Sequence, residues 1–219
     1  MVLRTPLEYV KAFGSACKRT LLDEGASRET VAADCREAAV AFVNGVGGGW
    51  DKVDLVLWLT GPYARATSHV PRGERVAGLS EDAGIDQATI EELVTRARAQ
   101  LVASLETAAL NEGTLDFAVE AMDRGWVRRA TDLEGEVVWV PVDTTRMRLR
   151  DRVRSLFAAD YLNDPVAYQE LYVCHRCELV VFDENAKRLG ACANHKRVSG
   201  MVPKRLDYDD DKDVAASDE

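Results

Sequence analysis

Toward its C-terminal end the chain carries Cys174-x2-Cys177, fourteen intervening residues, and then Cys192-x2-His195. Few patterns constrain a fold so narrowly. Each two-residue spacer lets a tight turn aim both flanking side chains the same way, and two such turns facing each other enclose a tetrahedral site for one divalent ion. Three of the five cysteines fall within nineteen residues and the total is odd, which suits metal ligation better than a disulfide framework. A zinc ion held by Cys174, Cys177, Cys192 and His195 is therefore expected. Four protein ligands leave no position for a reacting water, so the expected role of the ion is structural.

The stretch between the two pairs suits this reading. Leu179–Phe182 can form a strand, Asp183, Glu184 and Asn185 are turn residues, and Gly190 lets the chain approach the second pair. On these residues, positions 172–200 resemble the zinc-ribbon family in its three-cysteine, one-histidine form, with His195 where the commonest pattern has a fourth cysteine. The resemblance covers under a seventh of the chain. It implies a ribbon-like module too short to hold a core without its ion. His175 should point away from the metal. Were His195 not a ligand, Glu178 or Glu184 would become candidate bases, but the His-x-Glu signature of zinc deaminases is missing.

Upstream the periodicity is mainly helical. A capping box at Thr5-Pro6-Leu7-Glu8 opens a first helix running to Gly25, and Ser27 caps a second with Val31, Cys35, Ala38 and Phe42 on one face, closed by Asn44-Gly45. Cys17 and Cys35 fall on apolar faces and read as inert core thiols. The glycines of 45–49 follow a helix rather than a strand and lack a Gly-Lys-Ser/Thr, so they read as a connector and not a phosphate loop. Trp50–Leu59 suits a helix begun by Asp51, with a strand as the alternative. Residues 61–78 read as a solvated loop, in which His69 lacks a neighbouring acid-base partner.

A long helix over 86–111 and a shorter one over 114–124 follow. At Gly125 the period changes. Trp126-Val127 and Val137–Val140 flank a polar turn and read as a β-hairpin, after which 144–162 returns to helix. The expected class is α+β, with a helical domain over 1–125, a hairpin-helix-metal region over 126–205 and an acidic, disordered tail over 206–219.

The formal charge is −9, and the segment from Asp207 onward holds seven acids against one base. The body is thus nearly balanced. It can still carry a basic surface built from Arg146, Arg148, Arg150, Arg152 and Arg154, which would make nucleic acid a conceivable partner. The competing reading pairs those arginines with acids of the long helix such as Glu91, Glu92 and Glu106, and sparse aromatics favour it. No secretory leader or apolar run of membrane-spanning length is evident, so a cytoplasmic protein without membrane contact is expected. The Ala-, Arg- and Val-rich composition has a bacterial cast. A non-enzymatic interaction or regulatory protein, binding another protein through a zinc-supported module, is the leading expectation. The alternative is an enzyme with its site between the helical region and the hairpin, for which no nucleophile-base pair or cofactor motif is found.

Overall fold

Ser27, Asp51 and Asp183 each sit in extended backbone and accept a hydrogen bond from an amide two or three residues on, which satisfies an orphan donor and starts a helix. The computed structural model describes residues 20–22, 26–45, 50–69, 87–142 and 147–195. In chain order these form β1 (Thr20–Leu21), α1 (Arg28–Asn44) and α2 (Lys52–Trp58), which runs on through a π-helical turn, Leu59–Tyr63, and a last turn, Ala64–Ala66. Next come α3 (Gln87–Leu110), α4 (Phe117–Asp123), β2 (Val127–Thr131), β3 (Val137–Pro141) and α5 (Leu149–Asn163). A 3-10 turn, Ala167–Glu170, leads into β4 (Leu171–Val173), β5 (Val180–Phe182), α6 (Glu184–Leu189) and a final 3-10 turn, Ala193–His195. The α+β class is as expected.

In the first sheet β2 lies between β1, parallel to it with Thr20 opposite Ala130, and β3, antiparallel with Arg129 opposite Trp139. In the second, β4 and β5 pair antiparallel with Tyr172 opposite Val181. Helix α1 packs chiefly against α5, and both rest on β3. Val31, Cys35, Ala38 and Phe42 are fully buried, as their spacing implies. Phe42, Trp50, Trp58 and Tyr63 form an aromatic cluster with ring centroids 4.8–6.1 Å apart. The same core takes in Val138 and Val140 of β3, Leu156 and Phe157 of α5, and Tyr168, Leu171 and Val180. It therefore reaches from α1 to the edge of the β4–β5 hairpin. Among the described residues no helix is long and apolar enough to cross a membrane.

Four local expectations change. The first helix was expected to run to Gly25, but Thr20 and Leu21 are strand, and Leu22 extends the pairing by donating to the Thr131 carbonyl at 3.0 Å. The unpaired edge of β2 there outweighs local periodicity. Residues 61–66, expected as loop, are helical: Pro62 lacks an N–H, and the wider π turn accommodates it while Tyr63 stacks on Trp58. The helix expected from 144 starts at Leu149, with Arg148 as an extended cap. Asp183–Asn185, expected as a turn, instead opens α6. The capping box at Thr5–Glu8, Cys17, Arg146 and the acidic tail lie outside the described residues.

Two asparagines at helix ends act as single rungs of sheet. Asn163 accepts from the Trp139 amide at 2.8 Å and donates to its carbonyl at 2.7 Å, tying α5 to β3. Asn44 does the same to Val180 at 2.8 and 2.7 Å, tying α1 to β5. Each satisfies a strand-edge donor and acceptor that would otherwise be costly to bury.

Asp160, on the interior face of α5, is fully buried. Its carboxylate accepts from Arg36 at 3.0 and 2.8 Å and from the Tyr168 hydroxyl at 2.9 Å, and Arg36 also reaches Asp164 at 2.8 Å. Burial pushes this carboxyl up to about 6, against the pull of Arg36 and Tyr168. Arg36→Met should therefore leave an unpaired buried charge and cost on the order of 3–5 kcal/mol at pH 8. Arg36 holds this carboxyl down, so without it the folded value rises above about 6 and the variant takes up its proton at a higher pH than the unmodified chain. The loss should therefore shrink as pH falls from 8 to about 6. Urea unfolding of both proteins at the two pH values measures this.

Candidate metal centre

The first ligand pair is built by the β4–β5 turn. Leaving β4, the Cys174 carbonyl accepts from the amides of Cys177 at 3.3 Å and Glu178 at 2.7 Å, and the Leu179 carbonyl closes the loop by accepting from the Cys174 amide at 2.9 Å. Glu178 takes a left-handed conformation, φ 56°, to turn the chain into β5. Its carboxylate then accepts from Arg98 of α3 at 2.6 Å, which occupies it outside the ligand cluster.

The second pair is delivered by the end of α6. Gly190, at φ 62°, ends the helix, with its amide bonded to the Lys187 carbonyl and that of Ala191 to the Ala186 carbonyl, the Schellman arrangement. That reversal sends Cys192 back under β4, and the His195 amide bonds the Cys192 carbonyl at 2.9 Å. Between the two pairs the expected strand is present as β5, and a helix, α6, stands where a turn was expected.

The ligand atoms of Cys174, Cys177, Cys192 and His195 all lie within 4.8 Å of one another. Cys177 Sγ is 3.6 Å from Cys192 Sγ, and His195 Nδ1 is 3.5 Å from Cys174 Sγ and 3.3 Å from Cys192 Sγ. A tetrahedral ion with bonds of about 2.3 Å to sulfur and about 2.0–2.1 Å to nitrogen sets sulfur–sulfur edges of roughly 3.8 Å and sulfur–nitrogen edges of roughly 3.5 Å. The residues fit such an ion, and the sulfur separation is far beyond the bond of about 2.05 Å in a disulfide. His175 stays outside the cluster, its ring edge-on to Tyr172.

Burial of Cys174 opposes a charge on its sulfur, but backbone amides of Arg176, Cys192 and Cys177 point at it and hold the thiol down at about 5. Although Cys177 is exposed, the protein beside its sulfur displaces enough water to push the thiol up, against the Leu179 amide, and the neighbouring sulfurs of Cys192 and Cys174 add to this. One thiolate is thus prepared by the backbone, while collecting the others raises a repulsion that a cation would relieve.

The arginine series is spread across different surroundings. Arg152 is buried over the Tyr63 ring, Arg154 pairs with Glu120 at 3.0 Å and covers Phe117, and Arg150 reaches Asp151 at 3.2 Å and Gln100 at 2.8 Å. Arg148 is exposed at the start of α5. Of the α3 acids expected as partners, Glu92 pairs with Arg96. His69, expected to lack a carboxylate, has Asp34 of α1 at 3.2 Å, and Arg65 holds the other Asp34 oxygen at 3.1 Å. Sequence separation hid that contact.

Between α1 and the metal module lies an open groove of about 550 Å³. Ala33 and Val40 of α1, Val181 and Phe182 of β5, and Ala186 and Ala193 of the module give it apolar walls, with Glu37 and Asp183 among its acids. Arg36, also at the groove, is drawn toward Asp160 and Asp164. Compared with protein-family models, curated proteins and solved structures, the chain matches none.

If an ion holds the module, losing one ligand should loosen it while the rest of the core persists. In Cys177→Ser, amide exchange over residues 171–195 should rise by on the order of a hundredfold, equivalent to about 3 kcal/mol of local stability. The amides of α1 and α5 should keep their protection. Uniform acceleration along the chain would contradict this.

Proposed function

We propose that this chain is a non-enzymatic interaction protein whose Cys174, Cys177, Cys192 and His195 hold one structural zinc ion, and whose groove between α1 and the module receives a segment of a partner protein. The observation that carries the reading is the convergence of three sulfurs and one imidazole nitrogen within 4.8 Å. Soft thiolates with one imidazole in a tetrahedral set suit zinc among the common divalent ions. Four protein donors fill its coordination, which favours a structural over a catalytic ion. The resemblance of residues 172–200 to a three-cysteine, one-histidine zinc ribbon points the same way, although a helix here links the ligand pairs.

The groove supports the second half. One wall is helix α1 and the other is β5 and α6, so an ion that holds β5 and α6 in place also holds the groove open. Its apolar walls suit an aliphatic segment, and its acids, the Arg65-paired Glu37 and the α6-capping Asp183, favour lysine or arginine over acidic residues on that segment. Nucleic acid is disfavoured as the partner, because Arg150, Arg152 and Arg154 are engaged within the chain.

Selection of random peptides on the zinc-loaded protein provides the test. Enriched peptides should combine aliphatic residues with lysine or arginine. Their affinity, read by fluorescence anisotropy, should fall at least about tenfold, or 1.4 kcal/mol, in Ala33→Arg, an exposed groove position on α1, with zinc content unchanged. Chelation should abolish binding. Peptides indifferent to both changes would refute the groove as the binding surface.

A further inference from the structure

The four ligands are unequally protected. Cys174 and Cys192 are buried, at 1% and 0% exposure, and His195 is half-buried, whereas Cys177 is exposed. An oxidant arriving from solvent therefore meets the Cys177 sulfur first, and it meets it 3.6 Å from the buried Cys192 sulfur. The remaining described thiol, Cys35, is fully buried in α1 beyond such attack.

We infer that Cys177 is a site of oxidation by hydroperoxides, with Cys192 as its resolving partner, and that closing this pair expels the ion. The inference rests on the zinc reading above. In the first step the Cys177 thiolate attacks hydrogen peroxide; the O–O bond breaks, one oxygen bonds to sulfur, and hydroxide leaves. The product is a sulfenic acid, two electrons more oxidised than the thiolate. Then the Cys192 thiolate attacks the sulfenyl sulfur, the S–O bond breaks, and the oxygen departs as water after taking one proton. The net change is two thiolates, one peroxide and two protons giving one disulfide and two waters. Closing the pair requires the sulfurs to approach from 3.6 Å to about 2.05 Å. It removes two of four donors, and Cys174 with His195 alone cannot retain the ion against water.

Release of the ion would act on the groove. Ala186 and Ala193, which help line it, belong to α6 and to the turn between Cys192 and His195, so oxidation should close the binding surface along with the metal centre. Peroxide would thus act as an off-signal for partner binding, and a thiol reductant with zinc would restore it.

The experiment uses the full-length protein loaded with zinc. Metal content is measured first: a chain that binds no zinc removes the centre and this inference with it. A loaded chain is then treated with hydrogen peroxide while a chromophoric chelator follows zinc and differential alkylation with mass spectrometry maps the cysteines. One equivalent of zinc should leave in step with a Cys177–Cys192 disulfide, and dithiothreitol with added zinc should reverse both. Zinc retained at peroxide levels that oxidise free cysteine would overturn the inference and leave the metal centre standing. So would release accompanied by a Cys174–Cys177 bond, or by sulfinic acid without a disulfide. Cys177→His, which keeps four donors but removes the exposed thiol, should slow release at least tenfold, and release at the unmodified rate would likewise overturn it.

Discussion

Three sulfurs gathered within 4.8 Å cannot all ionise without a cation among them, and the chain around them is arranged to gather them anyway. The β4–β5 turn and the Gly190 reversal both spend backbone in left-handed conformations, at Glu178 and Gly190, to bring four side chains to one point. Backbone amides meanwhile hold Cys174 ready to carry charge. The small apolar cluster behind the ligands contains little more than Tyr172, Ala186 and two of the ligand cysteines. A fragment with so small a core of its own depends on what it leans against and, in the proposed reading, on its ion.

What it leans against is specific. Asn44 pairs with Val180, Arg98 with Glu178, and Arg36 lies over the Phe182 ring at 5.0 Å while gripping Asp160 below. Tyr168 completes the connection, with its hydroxyl on Asp160 and its ring edge-on to Phe182. Its backbone is approached so closely by the turn after α3 that a β-carbon on Gly113 would stand 2.2 Å from the Tyr168 carbonyl oxygen. The buried carboxylate of Asp160 thus joins α1, α5 and the entry to β4 in one polar hub. Such hubs bring little net stability, but breaking one is expensive, which fixes how the elements meet.

The legible parts of the sequence were those written in short-range code. Ligand spacing pointed to the four residues that converge, helical periodicity located α1 with its buried face and the spans of α3 and α5, and the change of period at Gly125 marked the hairpin. What escaped was decided by distant partners. Thr20 and Leu21 became strand because β2 offered an open edge, and Asn44 and Asn163 looked like ordinary helix ends although each serves a strand. His69 gained Asp34 from another helix. One signal was there to be read: Asp160 stands within the otherwise apolar run Phe157–Leu162 on the buried side of a helix, where an acid needs a dedicated cation.

The central claim is most directly tested by X-ray absorption at the zinc edge on protein purified without chelators. Three sulfur neighbours at about 2.3 Å and one nitrogen at about 2.0–2.1 Å are predicted, with close to one zinc per chain. Protein that carries no zinc, or a first shell made of oxygen and nitrogen alone, would contradict the account.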